Sequence, residues 1–421
     1  MTMSIDKKFS NYFHLLLPLS FIADYRLSII GLFLILILKE YFTPVERRVT
    51  NILSLITAHT ILRKVGYLYV FLAASLLLNS IYMGHYYGAP SLLSGYFFVI
   101  LSPLILLGFR HSRRADLLNF LAGCKLAVVV SALYAITLFI IKDFPERIHW
   151  NSQLGSIFLG LALLRFQHES NAAKVWTLFV ITIGLVSISL SGTRTSLLLC
   201  LFLFTVITFF PILKSPTKRP PLRLYVFLVS LLVILTISNS ATLKRVQHST
   251  QSILLLALGL DQESANVDSS GIRLEIFRAT LETFDENPNL FGLSGHETMA
   301  VILPNIKERF LQFTSHHTHL HSSYLDFLIF GGLIMAVVIL IFHFVQLFLI
   351  LKFRYSLQQV ILVVIISSFT FISIFDSLYA SSKEVILLIV ISGMVYGSII
   401  RDTFNERFLS DPHLKSTQKY F

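Results

Sequence analysis

Apolar residues in this chain come in long runs separated by short polar joints, and the runs recur from one end to the other. Such stretches predict membrane-crossing helices, because a backbone without water must satisfy its own hydrogen bonds. About twelve spans are expected, at 12–23, 27–42, 65–83, 92–109, 120–141, 153–166, 175–190, 195–213, 224–239, 322–351, 360–375 and 384–400. Several fall short of the roughly twenty residues that cross a bilayer, so tilt, neighbouring residues or shelter in the bundle must complete them. The apolar stretch 52–62 is too short to span and is expected to lie along the inner surface. The fold class expected is all-α, a polytopic membrane protein whose residues 1–421 form a single membrane domain.

One segment breaks the rhythm. From 240 to 321 the chain turns polar, with Asp261, Glu263, Asp268, Arg273, Glu275, Arg278, Asp285 and Glu286. Counting spans from a cytoplasmic amino terminus places this segment outside as one large periplasmic loop, and so long a loop in a compact bundle is usually functional. Within it, Ser269-Ser270-Gly271 precedes Leu274, Phe277, Leu281 and Phe284 at helical spacing, ended by Asn287-Pro288. That pattern predicts an amphipathic helix lying against the mouth of the bundle.

Composition agrees with the pattern: 55% of residues are hydrophobic, 14% are charged, and the mean hydropathy is +0.73. A soluble protein of this size is far less apolar. The net charge of +11 raises nucleic acid as a partner, but the basic residues sit in short clusters between spans, such as Arg47-Arg48, Arg110 to Arg114 and Lys214 to Arg223. Counting Lys39 and Arg165, which lie at the inner ends of their spans, 22 Lys and Arg fall inside and 11 outside. This is the positive-inside bias, with anionic lipid as the partner and both termini cytoplasmic. Residues 1–11 are polar, and no small-residue cleavage site follows the first apolar run, so no removable leader is expected. Cys124 and Cys200 lie inside apolar runs and predict neither a disulfide nor a zinc site.

Three outer-face features carry candidate chemistry. Arg194, in Ser191-Gly192-Thr193-Arg194 between two spans, sits where a membrane helix ends; it either snorkels to lipid headgroups or, fixed by the tight connection, grips a phosphate in two places. Arg273 is expected in the first turn of the loop helix, where free N–H groups and the helix dipole favour an anion; the alternative is a solvated charge. His316-His317-Thr318-His319-Leu320-His321 stands just before a span. It could hold a metal, act as a base toward a hydroxyl, or form a polar collar. No acidic or cysteine partner with metal-ligand spacing stands nearby, so no metal is assigned. Arginines and histidine at one membrane face answer one chemical problem: transfer of a sugar from a polyprenyl diphosphate needs charge on the departing diphosphate and a base for the incoming hydroxyl. The chain shows no Gly-rich nucleotide-binding loop, and no cofactor is expected.

At these residues the chain resembles the O-antigen ligase family. Thr193-Arg194 matches that family's Thr-Arg at a span end, Gly271-Ile272-Arg273-Leu274 its Gly-x-Arg-Leu, and His319-Leu320-His321 followed by Gly331-Gly332 its His-Leu-His before a late span. Asp376 sits where such proteins carry an aspartate in the last outer turn. The resemblance implies a GT-C-type architecture and inverting, metal-independent transfer of O-antigen from undecaprenyl diphosphate onto lipid A-core, at the periplasmic face of a bacterial inner membrane. It implies His321 as the base, with His319 as alternate, Arg194 and Arg273 on the diphosphate, and Asp376 and Arg278 as supporting groups. The sequence departs from the family after the second histidine, where Ser322 and Ser323 replace Asn and an acidic residue.

An O-antigen polymerase is the nearest rival, sharing donor and arginine logic; the single late loop favours the ligase. A transporter for lipid-linked sugar would place ionisable residues deep in the membrane, where Lys125 is the one clear mid-span charge.

Overall fold

The computed structural model describes residues 12, 14–21, 60–82, 99–108, 112, 114–142, 149–164, 166, 169–191, 193–214, 222–238, 243–244, 247, 269–293, 298–314, 320–352, 356–376 and 382–410. The regular elements among them are helices: α1 (Thr60–Tyr82), α2 (Ser102–Gly108), α3 (Arg114–Lys142), α4 (His149–Leu163), α5 (Asn171–Ser191), α6 (Arg194–Lys214) and α7 (Leu222–Ser238). There follow α8 (Ser269–Glu286), α9 (Thr298–Ile302), α10 (Glu308–Thr314), α11 (Ser323–Leu351), α12 (Leu357–Phe375) and α13 (Ser382–Ser410). Residues 14–20 are also helical. The expected span 27–42 and most of the surface stretch 52–62 lie outside the described residues.

Helices of membrane length and apolar composition include Arg114–Thr137, Asn171–Ser191, Ser323–Leu351 and Leu357–Phe375, with shorter apolar helices such as Arg194–Phe210 and Glu384–Ile399 beside them. They pack as one bundle: α3 against α4 and α5, α4 against α6, α12 against α6, α11 and α13, and α1 against α11. Phe120, Phe158, Phe204, Phe342 and Phe369 fill its core. The outside of the bundle is apolar too, with Phe71, Val175, Phe179, Ile234 and Phe344 exposed. In water such a surface would aggregate; in a bilayer it meets acyl chains.

Lys125 is not an open charge in the membrane. Its ammonium donates to the Glu169 carboxylate and, at 2.5 Å, to Thr177 Oγ1, joining α3 to the start of α5. A buried charge held by an opposite charge is what a structural pair needs, and the feature that raised transport is accounted for.

The 322–351 segment, expected as one continuous span, is broken. Gly332 has φ 66° and ψ −168°, outside any helical conformation. Across the break, Tyr324 Oη lies 2.8 Å from His343 Nδ1. In a straight helix, residues 19 apart would stand roughly 28 Å apart along the axis. The two arms, 323–331 and 333–351, therefore fold back on each other with Gly332 at the apex. At 1.5 Å per residue the second arm is about 28 Å long, enough by itself for the hydrocarbon core. The first arm is freed for another role.

The segment 269–314 has its own small core, made by Ile276, Ala279, Met299, Ile302, Ile306 and Phe310 and closed onto α11 by Leu320 and Ile329. A helix stands where one was expected, α8, ending at Glu286 just before Asn287-Pro288, but the apolar residues it buries are Ile276 and Ala279, whereas Leu281 of the expected apolar stripe is exposed. Its polar side is clamped by Arg278, which makes two bonds to Glu275 (3.0 and 2.6 Å) and others to Glu282 and the Asn305 carbonyl. The Glu275 side chain is fully buried and also accepts the Lys307 N–H at 2.8 Å. Burial alone would raise its pKa, but Arg278 and the Lys307 N–H outweigh burial and lower it. Removing the guanidinium strands that carboxylate. Arg278→Ala should destabilise this outer unit by roughly 3 kcal/mol, seen as faster proteolysis between 269 and 314 and a lower Tm. Arg278→Lys should recover only part, because lysine lacks the planar fork.

Candidate active site

The site forms where α4, α6, α8, α11 and α12 meet. At the start of α6, Ser191 Oγ donates to the Ile188 carbonyl at 2.7 Å and accepts the Thr193 N–H at 3.2 Å. The Thr193 carbonyl accepts the Leu197 N–H at 3.2 Å, so Thr193 caps the helix and Arg194 is its first residue. Ser196 Oγ donates to Ser152 Oγ at 2.9 Å, and Ser156 Oγ donates to the Ser196 carbonyl at 3.2 Å. This buried serine cluster ties α6 to α4 and sets Gln153 beside the end of α6.

Arg273 was expected in the first turn of its helix. Instead α8 begins at Ser269, which makes Arg273 its fifth residue, beyond the four N–H groups a helix start leaves open. Its guanidinium reaches across to α6, where NH1 donates to Thr195 Oγ1 at 3.5 Å. The two arginines thus come to the same helix end, Arg273 by its side chain and Arg194 by its place next to Thr195.

His321 precedes the first arm of α11. It is the one non-glycine residue with positive φ (54°) among those described, a conformation that costs a histidine about 1 kcal/mol or more and recurs at functional sites. Two contacts impose it. Asp326, buried at the start of the arm, accepts the Leu320 N–H on its carboxylate at 2.9 Å and donates its own N–H to the Ser322 carbonyl at 2.9 Å. On the other side, the Asp376 carbonyl accepts both the N–H and the hydroxyl of Ser323, each at 3.1 Å. Ser322 and Ser323, the departure from the family pattern, are therefore the residues that bind the arm to the end of α12. Ser322 Oγ adds a 3.4 Å bond to the Ser373 carbonyl.

That seam brings the Asp376 side chain to His321, with Oδ1 3.9 Å from the imidazole Nδ1. The other oxygen, Oδ2, accepts Gln153 Nε2 at 2.7 Å. Burial would raise the Asp376 pKa, but His321, the charge of Arg273 and the Gln153 bond together hold it down at about 2. With the folded value depressed, the stabilisation from these contacts is complete above the ordinary carboxylate pKa of about 4 and is lost as pH falls through 2. Asp376 is thus an anion at any pH where the protein works.

Of the residues expected from sequence, Arg273, His321 and Asp376 gather at this junction, and Arg194 is the first residue of the helix that Arg273 reaches. Arg278 does not: it lies five residues beyond Arg273, roughly 140° around α8, and is engaged in the clamp described above. His316, His317 and His319 lie outside the described residues. Gln153, Thr195, Ser323 and Asp326 were not anticipated. The only sequence signal for Asp326 was an acid in the first turn of a helix, and Gln153 gave none, since its partner is 223 residues away.

Chemically, the junction offers fixed positive charge, an imidazole, and a permanent carboxylate facing that imidazole. Residues 178–340 match the family model described as O-antigen ligase, a stretch that contains Arg194, Arg273 and His321 and stops before Asp376. No curated protein matches the chain.

Proposed function

From the premise that this chain carries an O-antigen ligase family domain at residues 178–340, we propose that it transfers O-antigen from undecaprenyl diphosphate to lipid A-core at the periplasmic face of a bacterial inner membrane. The observation that carries the reading is the convergence of Arg273, Asp376 and His321 at the end of α6. In this scheme Asp376 faces Nδ1 and favours the tautomer with its proton there, leaving Nε2 to take the proton of the acceptor hydroxyl. The hydroxyl oxygen forms its bond to the anomeric carbon as the bond from that carbon to the diphosphate oxygen breaks. One displacement from the opposite face inverts the centre. Arg194 and Arg273 neutralise the departing diphosphate, so no cofactor or metal enters any step.

The same reading includes about twelve spans, both termini in the cytoplasm, a GT-C-like membrane fold, and 240–321 as a loop on the periplasmic side. Support for the ligase over an O-antigen polymerase comes from the gathering of the outer polar segment into a single late unit with its own core. The envelope glycolipid profile of a deletion strain separates the two. Loss of a ligase leaves polymerised glycan on the carrier lipid, and that is the expected result. Single repeats attached to lipid A-core would instead identify a polymerase.

A further inference from the structure

The apex of the α11 hairpin is closed by another part of the chain. Leu293 N–H donates to the Ile329 carbonyl at 2.8 Å, while the Asn289 and Leu290 carbonyls accept the Leu333 and Ile334 N–H groups, each at 3.2 Å. Asn289 Oδ1 takes the Phe291 N–H at 2.9 Å. The contact is too close for side chains at two points. A Cβ on Gly332 would fall 2.4 Å from the Leu290 carbonyl, and one on Gly292 (φ +108°) would fall 2.2 Å from the Phe330 oxygen.

We propose that this clasp is seated in the membrane, with Leu290 and Phe291 among the acyl chains of the leaflet on the site's side of the bilayer. Residues 287–293 carry no charge, unlike Asp285 and Glu286 just before them. Leu290 is 55% and Phe291 45% exposed, although both are large and apolar. Leu290 is joined by a direct backbone bond, and Phe291 through its neighbours Leu290 and Leu293, to the point where the lipid-facing stripe of α11 starts: Leu333, Ile334, Ile341 and Phe344 are exposed, whereas 326–327 and 329–331 on the first arm are buried. The clasp thus continues an apolar surface that the bilayer already covers. Part of its irregular backbone is already satisfied inside the protein, at the Leu293 and Phe291 N–H groups and the Asn289 and Leu290 carbonyls, which lowers the cost of lying at that level. An aromatic residue at the membrane boundary fits the same placement. The bilayer then holds the cap of the hairpin whose other end carries His321.

Tryptophan emission in nanodiscs tests the placement. Phe291→Trp, Phe344→Trp and Glu308→Trp are made in the full chain, with the emission of the parent's 2 native tryptophans subtracted. Each protein is assembled in phosphatidylcholine with and without brominated acyl chains. The added emission at 291 should be lost to the same fraction as at 344, while that at 308, on the polar outer unit, is retained. Loss at 291 no greater than at 308 overturns the proposal. Leu290→Trp gives the same reading should Phe291→Trp fail to fold.

Discussion

A His321→Ala protein should keep its fold, with at most a small drop in Tm, yet transfer glycan roughly 10²- to 10⁴-fold more slowly, the span usually carried by a positioned general base. The fold is spared because the backbone around His321 is held by Asp326 and by the Ser323 seam to Asp376, neither of which needs the imidazole. Asp376→Asn should fall on the same reaction with a different signature. Its anion faces Nδ1 at 3.9 Å, so the amide would remove the charge that stabilises the imidazolium while preserving size and the Gln153 contact. Because Asp376 titrates at about 2, it contributes nothing to a pH–rate profile near neutrality. Any acid limb between pH 5 and 8 must come from another group. Initial rates with carrier-linked glycan, read on gels across that pH range, check both statements. Full transfer by a folded His321→Ala protein would remove the base assignment.

The second large effect is structural. Gly332→Ala places a side chain where φ is 66° and ψ −168°, a region open essentially to glycine alone, and drives its Cβ into the Leu290 carbonyl at 2.4 Å. Backbone strain and overpacking together should cost about 3 kcal/mol or more. The clasp opens, the Tyr324–His343 contact between the arms is lost, and the arm that carries His321 is no longer fixed. Both Tm and transfer should therefore drop. Gly66→Ala is the matched control: a Cβ there meets nothing within 4 Å, and alanine in the interior of α1 should be neutral or slightly stabilising. Equal Tm values for the two variants would contradict the hairpin.

The membrane helices were legible because their signal is local: a run of apolar residues has only one way to satisfy its backbone in lipid. Arg194 and His321 stood out for a related reason, as polar residues at the ends of such runs, and Arg273 as a charge near the start of an expected helix in the polar segment. The hairpin was not. Residues 322–351 are apolar on both sides of Gly331-Gly332, so hydropathy passes through the break without a mark, and the glycine pair alone does not say which way the chain turns. The helix start at Ser269 was misread by placing Arg273 in the first turn, which overlooked that Ser269 and Ser270 could themselves be helical. What holds His321 was hidden by distance along the chain. Gln153 and Asp376 are brought together by the serine cluster between α4 and α6 and by the packing of α12, none of which leaves a periodic trace. The role of Arg278 was within reach, because Glu275 and Glu282 stand three and four residues from it on one helix face.

On the proposed function, fixed positive charge at the end of α6 serves a departing diphosphate. Its most direct test is transfer of labelled glycan from undecaprenyl diphosphate to lipid A-core by purified protein in a chelating buffer, wild type and Arg273→Ala side by side. Product from the wild type and at least a tenfold slower rate from the variant, about 1.4 kcal/mol of lost transition-state stabilisation, is the predicted result. Equal rates from the two proteins would contradict it.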